Sequence, residues 1–172
     1  LMILEKTGSY PSYNHGPKIL WWKNEFPGIY ESIKAFVQPA GFVAMKLCGM
    51  NGSEAFIDRT YLHFSGYADT QKCSWDEELC KQFGVDVKKL PEIVSPERII
   101  GKLSKRMADK CGLNEGIPVA AGCGDTAASF LSVGAVRAGT CVDVAGTASV
   151  FATTTSSFIS DNENKVLSCG HS

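Results

Sequence analysis

The feature that most constrains this chain is a change of texture at Ile117. Ile117-Pro118-Val119-Ala120-Ala121 is a short apolar run, Gly122-Cys123-Gly124 is a turn, and Asp125 to Val133 is rich in alanine and predicted helical. A strand, a glycine turn and a helix in that order belong to an α/β protein. Gly134 to Gly139 then reads as a connector. Thr140 to Ala145 and Ser149 to Thr154 are two β-rich runs joined through Gly146-Thr147, which predicts a hairpin.

Upstream, short helix signals are separated by Gly and Pro. Pro17 is the expected first residue of a helix carrying Ile19, Leu20 and Trp22, stopped by Pro27-Gly28. Ile29, Ile33, Phe36 and Val37 recur at the spacing of one apolar helical stripe, which predicts a second helix running until Pro39 breaks it. A shorter helix is expected from Phe42 to Cys48, and Gly49-Met50-Asn51-Gly52 is a turn signal. Ser53 to Phe64 has no clean period and receives no assignment. Ser74 with Glu77 has the pattern of a capping box, and Trp75, Leu79 and Phe83 sit four apart before Gly84, predicting a helix over 75–83. Ser104 is expected to cap another helix that ends near Gly112. The charged loop Asp161 to Lys165 precedes a last partial strand.

Composition narrows the functional classes. The 172 residues carry 17 Lys and Arg against 18 Asp and Glu, a net charge of -1, so no basic field attracts nucleic acid or anionic lipid. A hydrophobic content of 44% is enough for a core, yet no apolar stretch approaches the roughly 20 residues that span a bilayer. Cys48, Cys73, Cys80, Cys111, Cys123, Cys141 and Cys169 show no metal-ligand spacing and are expected to be reduced, mostly buried thiols of a cytoplasmic protein. The chain opens at Leu1 without a charged-then-apolar leader and stops at Ser172 soon after Val166-Leu167, so both ends are expected to be cut.

Asp125 is the first candidate for chemistry. A carboxylate at a helix N-terminus, at the mouth of a sheet, is held ionised by the helix dipole and can act as a general base; equally, it can be an N-cap and nothing more. The same segment satisfies G-x-G-x-x-A as Gly122, Gly124 and Ala127, with Asp143 lying 19 residues beyond Gly124, the outline of a dinucleotide-binding oxidoreductase. Against that reading, Asp125 would place a negative charge where a pyrophosphate should meet bare backbone N–H groups. The second candidate is Gly146-Thr147-Ala148-Ser149, where small residues let backbone N–H groups and hydroxyls approach an anion; the alternative is an ordinary hairpin turn. His15, His63 and His171 are isolated in sequence and are expected at the surface or packed. Ser129 lacks a nucleophile elbow, and Trp21 and Trp22 are expected at the core and its rim.

Taken together, Gly124-Asp125, the alanine-rich helix and the Gly146-Thr147 hairpin resemble the FGGY carbohydrate kinases, whose pattern here is a Gly-Gly-Asp turn, an Ala-rich helix and a Gly-Thr-Ser hairpin. The resemblance extends to Pro17-Lys18-Ile19-Leu20-Trp21, to the progression from Trp75 to Leu90-Pro91, to Gly101-Lys102-Leu103, and to Cys111-Gly112-Leu113 with Gly116-Ile117-Pro118-Val119. It covers nearly the whole chain from about Thr7 to Thr154.

The resemblance implies an internal fragment of an actin-like, ribonuclease-H-like two-lobed kinase fold. Residues 1–135 would belong to the N-terminal, sugar-binding lobe, and 139–172 would start the C-terminal, nucleotide-binding lobe. It further implies ATP-dependent phosphorylation of a sugar or polyol hydroxyl, a pentulose by preference, carried by the full-length protein, with the fragment alone inactive. Asp125 would take the substrate proton, Gly146 and Thr147 would contact the ATP phosphates, and Mg²⁺ would neutralise them. The partners implied are a small-molecule sugar and ATP, with a homo-dimer allowed. Where the family has Lys-Asp and Thr-Asp pairs this chain has Ala40-Gly41 and Ser53-Glu54, and Ala148 interrupts Gly-Thr-Ser. A non-catalytic, partner-binding remnant of the same fold is the other reading.

Overall fold

A computed structural model describes residues 2–10, 14–146, 149–161, 163 and 166–171. Its helices are α1 (Met2–Thr7), α2 (His15–Glu25), α3 (Pro27–Ser32), α4 (Pro39–Cys48), α5 (Glu77–Phe83), α6 (Lys105–Cys111) and α7 (Asp125–Ser132). The strands are β1 (Phe56–Asp58), β2 (Ala68–Asp69), β3 (Ser74–Trp75), β4 (Glu92–Val94), β5 (Ile99–Lys102), β6 (Pro118–Ala120), β7 (Cys141–Val144) and β8 (Val150–Thr153). Among the described residues the strands form four separate pairs: β1 with β4 in parallel, and β2 with β3, β5 with β6 and β7 with β8 antiparallel.

The parallel pair is the backbone of the fold. A parallel partner must be reached by a crossover, and the chain from Arg59 to Pro91, with α5 inside it, supplies one. Beneath the pair, Phe56 and Val94 pack with Ala44 and Met45 of α4, Ala55 and Ala121. A second cluster joins Ile19 of α2, Tyr30 of α3, Tyr67, Cys80 and Val85. Close approach here depends on Gly16: a Cβ at that position would lie 2.9 Å from the Ser65 carbonyl oxygen, and its own carbonyl accepts the Tyr67 hydroxyl at 2.9 Å.

Several expected elements shift, each for a local reason. α2 begins at His15, two residues before Pro17. Pro27 both follows that helix and opens α3, the first-turn position where its missing N–H costs nothing. The predicted helix over 29–37 is cut at Ser32, and residues 33–38 have no regular secondary structure, with Ile33 and Gln38 in extended conformations. Lys89 captures the carbonyls of Glu31 and Ile33 at 3.0 and 2.9 Å, and the Phe36 N–H donates to the Lys89 carbonyl at 2.9 Å. Pro39 starts α4 instead of ending a helix, while Gly49 closes it in the left-handed conformation, φ 73°.

The expected capping box of Ser74 and Glu77 does not form. Ser74 and Trp75 lie in β3, and the cap of α5 is Asp76, whose carboxylate accepts the Leu79 N–H at 2.9 Å and is held below its ordinary pKa first by that bond. Gly84 ends α5 as expected. Ser104 stands at the N-cap of α6, but its hydroxyl donates to the Leu47 carbonyl at 3.0 Å, tying α6 to α4. Trp21 is exposed and Trp22 partly buried; both pack edge-on or tilted against Phe26 with centroids 5.2 and 5.5 Å away. The seven thiols are free, and only Cys80 is buried, contrary to the expectation of mostly buried cysteines. The described residues beyond Val166 form no strand, and Asn162, Asn164 and Lys165 of the charged loop lie outside the described residues.

Candidate active site at the start of the alanine-rich helix

The strand, turn and helix predicted at Ile117 are present as β6, Gly122-Cys123-Gly124 and α7. The strand pairing on either side of α7 differs from that of a dinucleotide-binding unit. β6 pairs antiparallel with β5, and the strand after α7 pairs with β8 instead of returning beside β6, so among the described residues no parallel β-α-β is made around Gly122, Gly124 and Ala127. Asp143 lies inside β7, opposite Phe151.

The turn is held by three hydrogen bonds from its backbone N–H groups, two to carbonyls and one to a side-chain hydroxyl. The Ala121 N–H donates to the Arg98 carbonyl at 2.8 Å, the Gly122 N–H to the Pro96 carbonyl at 2.9 Å, and the Gly124 N–H to the Thr60 hydroxyl at 2.8 Å. Gly122 has φ 78°, a conformation that favours glycine, so the chain reverses there at little cost. Gly124 is buried and is the N-cap of α7.

Asp125 is therefore the first helical residue and not the cap. It is exposed, and its carboxylate accepts the Thr126 N–H at 2.8 Å, leaving further carboxylate lone pairs open to solvent. Ser129, one turn later, donates its hydroxyl to the Asp125 carbonyl at 2.9 Å. None of the α7 residues is fully buried, and Ala127, Ser129 and Phe130 are partly covered.

Beneath the turn lies a polar group inside the core. Asp58, at the end of β1, is 6% exposed and Thr60 is 4% exposed. The Asp58 carboxylate accepts the Thr60 N–H at 2.9 Å and the Thr60 hydroxyl in a short bond, and that hydroxyl in turn accepts from Gly124. Burial pushes the Asp58 carboxyl up from its ordinary pKa, opposed by the hydrogen bonds from Thr60. Tyr61 lies alongside: its ring is 3.4 Å from where a Cβ on Gly124 would stand. Burial raises the Tyr61 phenol, and the nearby carboxylates of Asp58 and Asp125 add to the rise. Cys123, half-buried in the turn, is likewise raised by burial and then by Asp58.

Asp58, Thr60 and Tyr61 fall in the stretch without periodicity that received no assignment. The Asp-x-Thr spacing is a local signal for a side chain folding back onto backbone N–H groups, but nothing in it announces a partner 64 residues away.

The hairpin predicted from Thr140 to Thr154 forms as β7 and β8, in register from Cys141 opposite Thr153 to Val144 opposite Val150. Gly146 lies exposed beyond the turn end of β7; Thr147 and Ala148 lie outside the described residues. The open end of the hairpin is fastened to the far end of α7, where the Thr154 hydroxyl donates to the buried Ala135 carbonyl at 3.0 Å. Asp125 and Gly146 thus stand at the ends of their elements remote from that junction. Of the histidines, His63 is buried, His15 sits against Gln38 and the edge of Phe64, and His171 lies 2.8 Å from the Ala135 carbonyl.

The N-terminal domain of the FGGY family of carbohydrate kinases matches residues 3–132, well over half of the sequence. The chain belongs to that family. Among FGGY relatives it is 29% identical over 145 residues to an autoinducer-2 kinase of Enterobacter sp. (strain 638), covering 84% of this chain and 27% of that protein. It is 29% identical over 126 residues to a xylulose kinase of Lactococcus lactis, covering 70% and 23%. The crystal structure of a gluconate kinase from Lactobacillus acidophilus superposes with a TM-score of 0.85 at 21% identity, over 96% of this chain and 33% of that one.

This FGGY chain therefore spans about a quarter of the length of the curated relatives it matches. Its fold is that of part of the actin-like, ribonuclease-H-like sugar kinases, in agreement with the expectation from sequence. No described helix is long and apolar enough to cross a membrane.

Proposed function

We propose that the full-length FGGY protein transfers the γ-phosphoryl group of ATP to a hydroxyl of a sugar or polyol. The observation that carries this is Asp125: an exposed carboxylate at the first position of a helix, on a turn pinned to the core by buried hydrogen bonds. In this reading the Asp125 carboxylate accepts the proton of the substrate hydroxyl. The freed oxygen forms a bond to the γ-phosphorus as the bond from that phosphorus to the bridging oxygen breaks, and ADP departs with the electron pair.

Gly146 and Thr147 are assigned to the ATP phosphates through backbone N–H groups and one hydroxyl. Among the described residues no His, Cys, Asp or Glu set is grouped to hold a metal ion, and Mg²⁺ is assigned to the phosphates of ATP. Residues 1–135 are assigned to the sugar-binding lobe and 139–172 to the start of the nucleotide-binding lobe; the family match ending at residue 132 supports that boundary. A pentulose is the preferred substrate, supported by the xylulose kinase among the relatives. The 172-residue chain by itself is expected to bind MgATP poorly and not to turn over.

The test is ADP release by the full-length protein with MgATP and a panel of ketoses, aldonates and polyols. One pentulose should raise ADP formation well above the sugar-free rate, with phosphate appearing on the sugar. No phosphorylated product from any member of the panel would overturn the kinase reading and leave the non-catalytic remnant.

A further inference from the structure

We infer that Thr60 is a positioning residue for the Asp125 carboxylate, acting through the backbone N–H of Gly124 and held in turn by Asp58. The inference rests on the reading of Asp125 as general base and adds to it the group that aims that base.

No α7 side chain is fully buried against the described residues, and Ala127 and Phe130 are partly covered. Its N-terminus is set by the turn before it. The Ala121 and Gly122 N–H groups are tied to Arg98 and Pro96, in the segment between β4 and β5. The third bond, from Gly124, reaches Thr60, just past the end of β1. That bond is adjacent to Asp125, within the last non-helical residue before it.

The receiving hydroxyl is oriented by its surroundings. A threonine hydroxyl has one proton and two acceptor lone pairs. Asp58 takes the proton, so a lone pair is presented to Gly124, and the same carboxylate oxygen accepts the Thr60 N–H at 2.9 Å. Both residues are more than nine-tenths buried, so water is poorly placed to substitute for either partner. The Tyr61 ring stands beside Gly124, 3.4 Å from where a Cβ on that residue would lie. A base that must meet a hydroxyl within hydrogen-bonding distance loses rate steeply when misplaced by about 1 Å, and this chain of three groups sets where the Asp125 backbone begins.

The experiment uses the full-length protein with Thr60→Val, Thr60→Ala and Thr60→Ser, followed by amide hydrogen exchange and steady-state kinetics. Thr60→Val and Thr60→Ala should each speed exchange at Gly124 by about tenfold, the worth of one buried hydrogen bond, while Glu77–Phe83 keeps its protection. Both should lower kcat by about tenfold or more with the sugar KM within about twofold, and Thr60→Ser should restore exchange and kcat together. Unchanged exchange at Gly124, a uniform rise that includes Glu77–Phe83, intact kcat despite faster exchange, or failure of Thr60→Ser to restore would each overturn the assignment. Failure of the general-base reading is recognised separately, by full activity in Asp125→Asn with the Gly124 exchange result standing on its own.

Discussion

The Lys89 ammonium donates to the Ile33 carbonyl at 2.9 Å, and the same nitrogen reaches the Glu31 carbonyl at 3.0 Å and lies 5.1 Å from the centre of the Tyr30 ring. Carbonyls at a helix end have no partner of their own, and a cation there satisfies them while favouring the negative end of the helix dipole. This contact explains why α3 stops at Ser32 although apolar residues continue at helical spacing to Val37.

Lys89→Met should therefore destabilise the protein by about 1–3 kcal/mol, since two carbonyls lose their donor at a buried position while the aliphatic stem is kept. Chemical denaturation of the full-length protein checks this, and a midpoint equal to wild type would show that water replaces the ammonium.

Asp125→Asn should leave folding intact and lower kcat by about two to four decades, because amide and carboxylate share a shape and only the carboxylate accepts the substrate proton. Circular dichroism and steady-state kinetics on the full-length protein test the two halves of that statement. Activity near wild type would remove Asp125 from the base role.

Thr147→Val in the full-length protein should impair the use of ATP more than the use of sugar, since it deletes one hydroxyl and nearly preserves volume. Kinetics with both substrates varied decide the matter: a defect lying wholly in the sugar KM would assign Thr147 to the other ligand.

Acid should destabilise the fold through two histidines. Burial pushes His63 down to about 4, helped by His15, and burial with Lys18 pushes His15 down to about 4. Both folded values lie below the unfolded value near 6.5, so the unfolded chain takes up protons first as pH falls. Their stabilising share is present above about pH 6.5 and is lost between there and about pH 4. His63 Nδ1 is buried without a hydrogen-bond partner among the described residues, so His63→Leu should be neutral or stabilising at pH 7, with melting temperature falling less steeply between those pH values. A steeper fall would contradict the assignment.

The local signals that survived in the fold are those whose cause is local. Gly49, Gly84 and Gly112 end helices in left-handed conformations, and Gly122 turns the chain before α7. The hairpin from Cys141 to Thr153 follows from two β-rich runs around a small-residue turn. These are decided by one residue's accessible backbone angles or by neighbours a few positions away, and both are written in sequence. The identity of Asp125 as a carboxylate at a helix start was legible for the same reason. Tertiary structure decided the rest through partners distant in the chain. Lys89 overrode a helical stripe from 56 positions away, and Thr60 reached Gly124 across 64. A buried hydrogen bond of that kind contributes as much as several residues of helix propensity, yet its donor and acceptor meet only once β1 and β4 have closed the core between them.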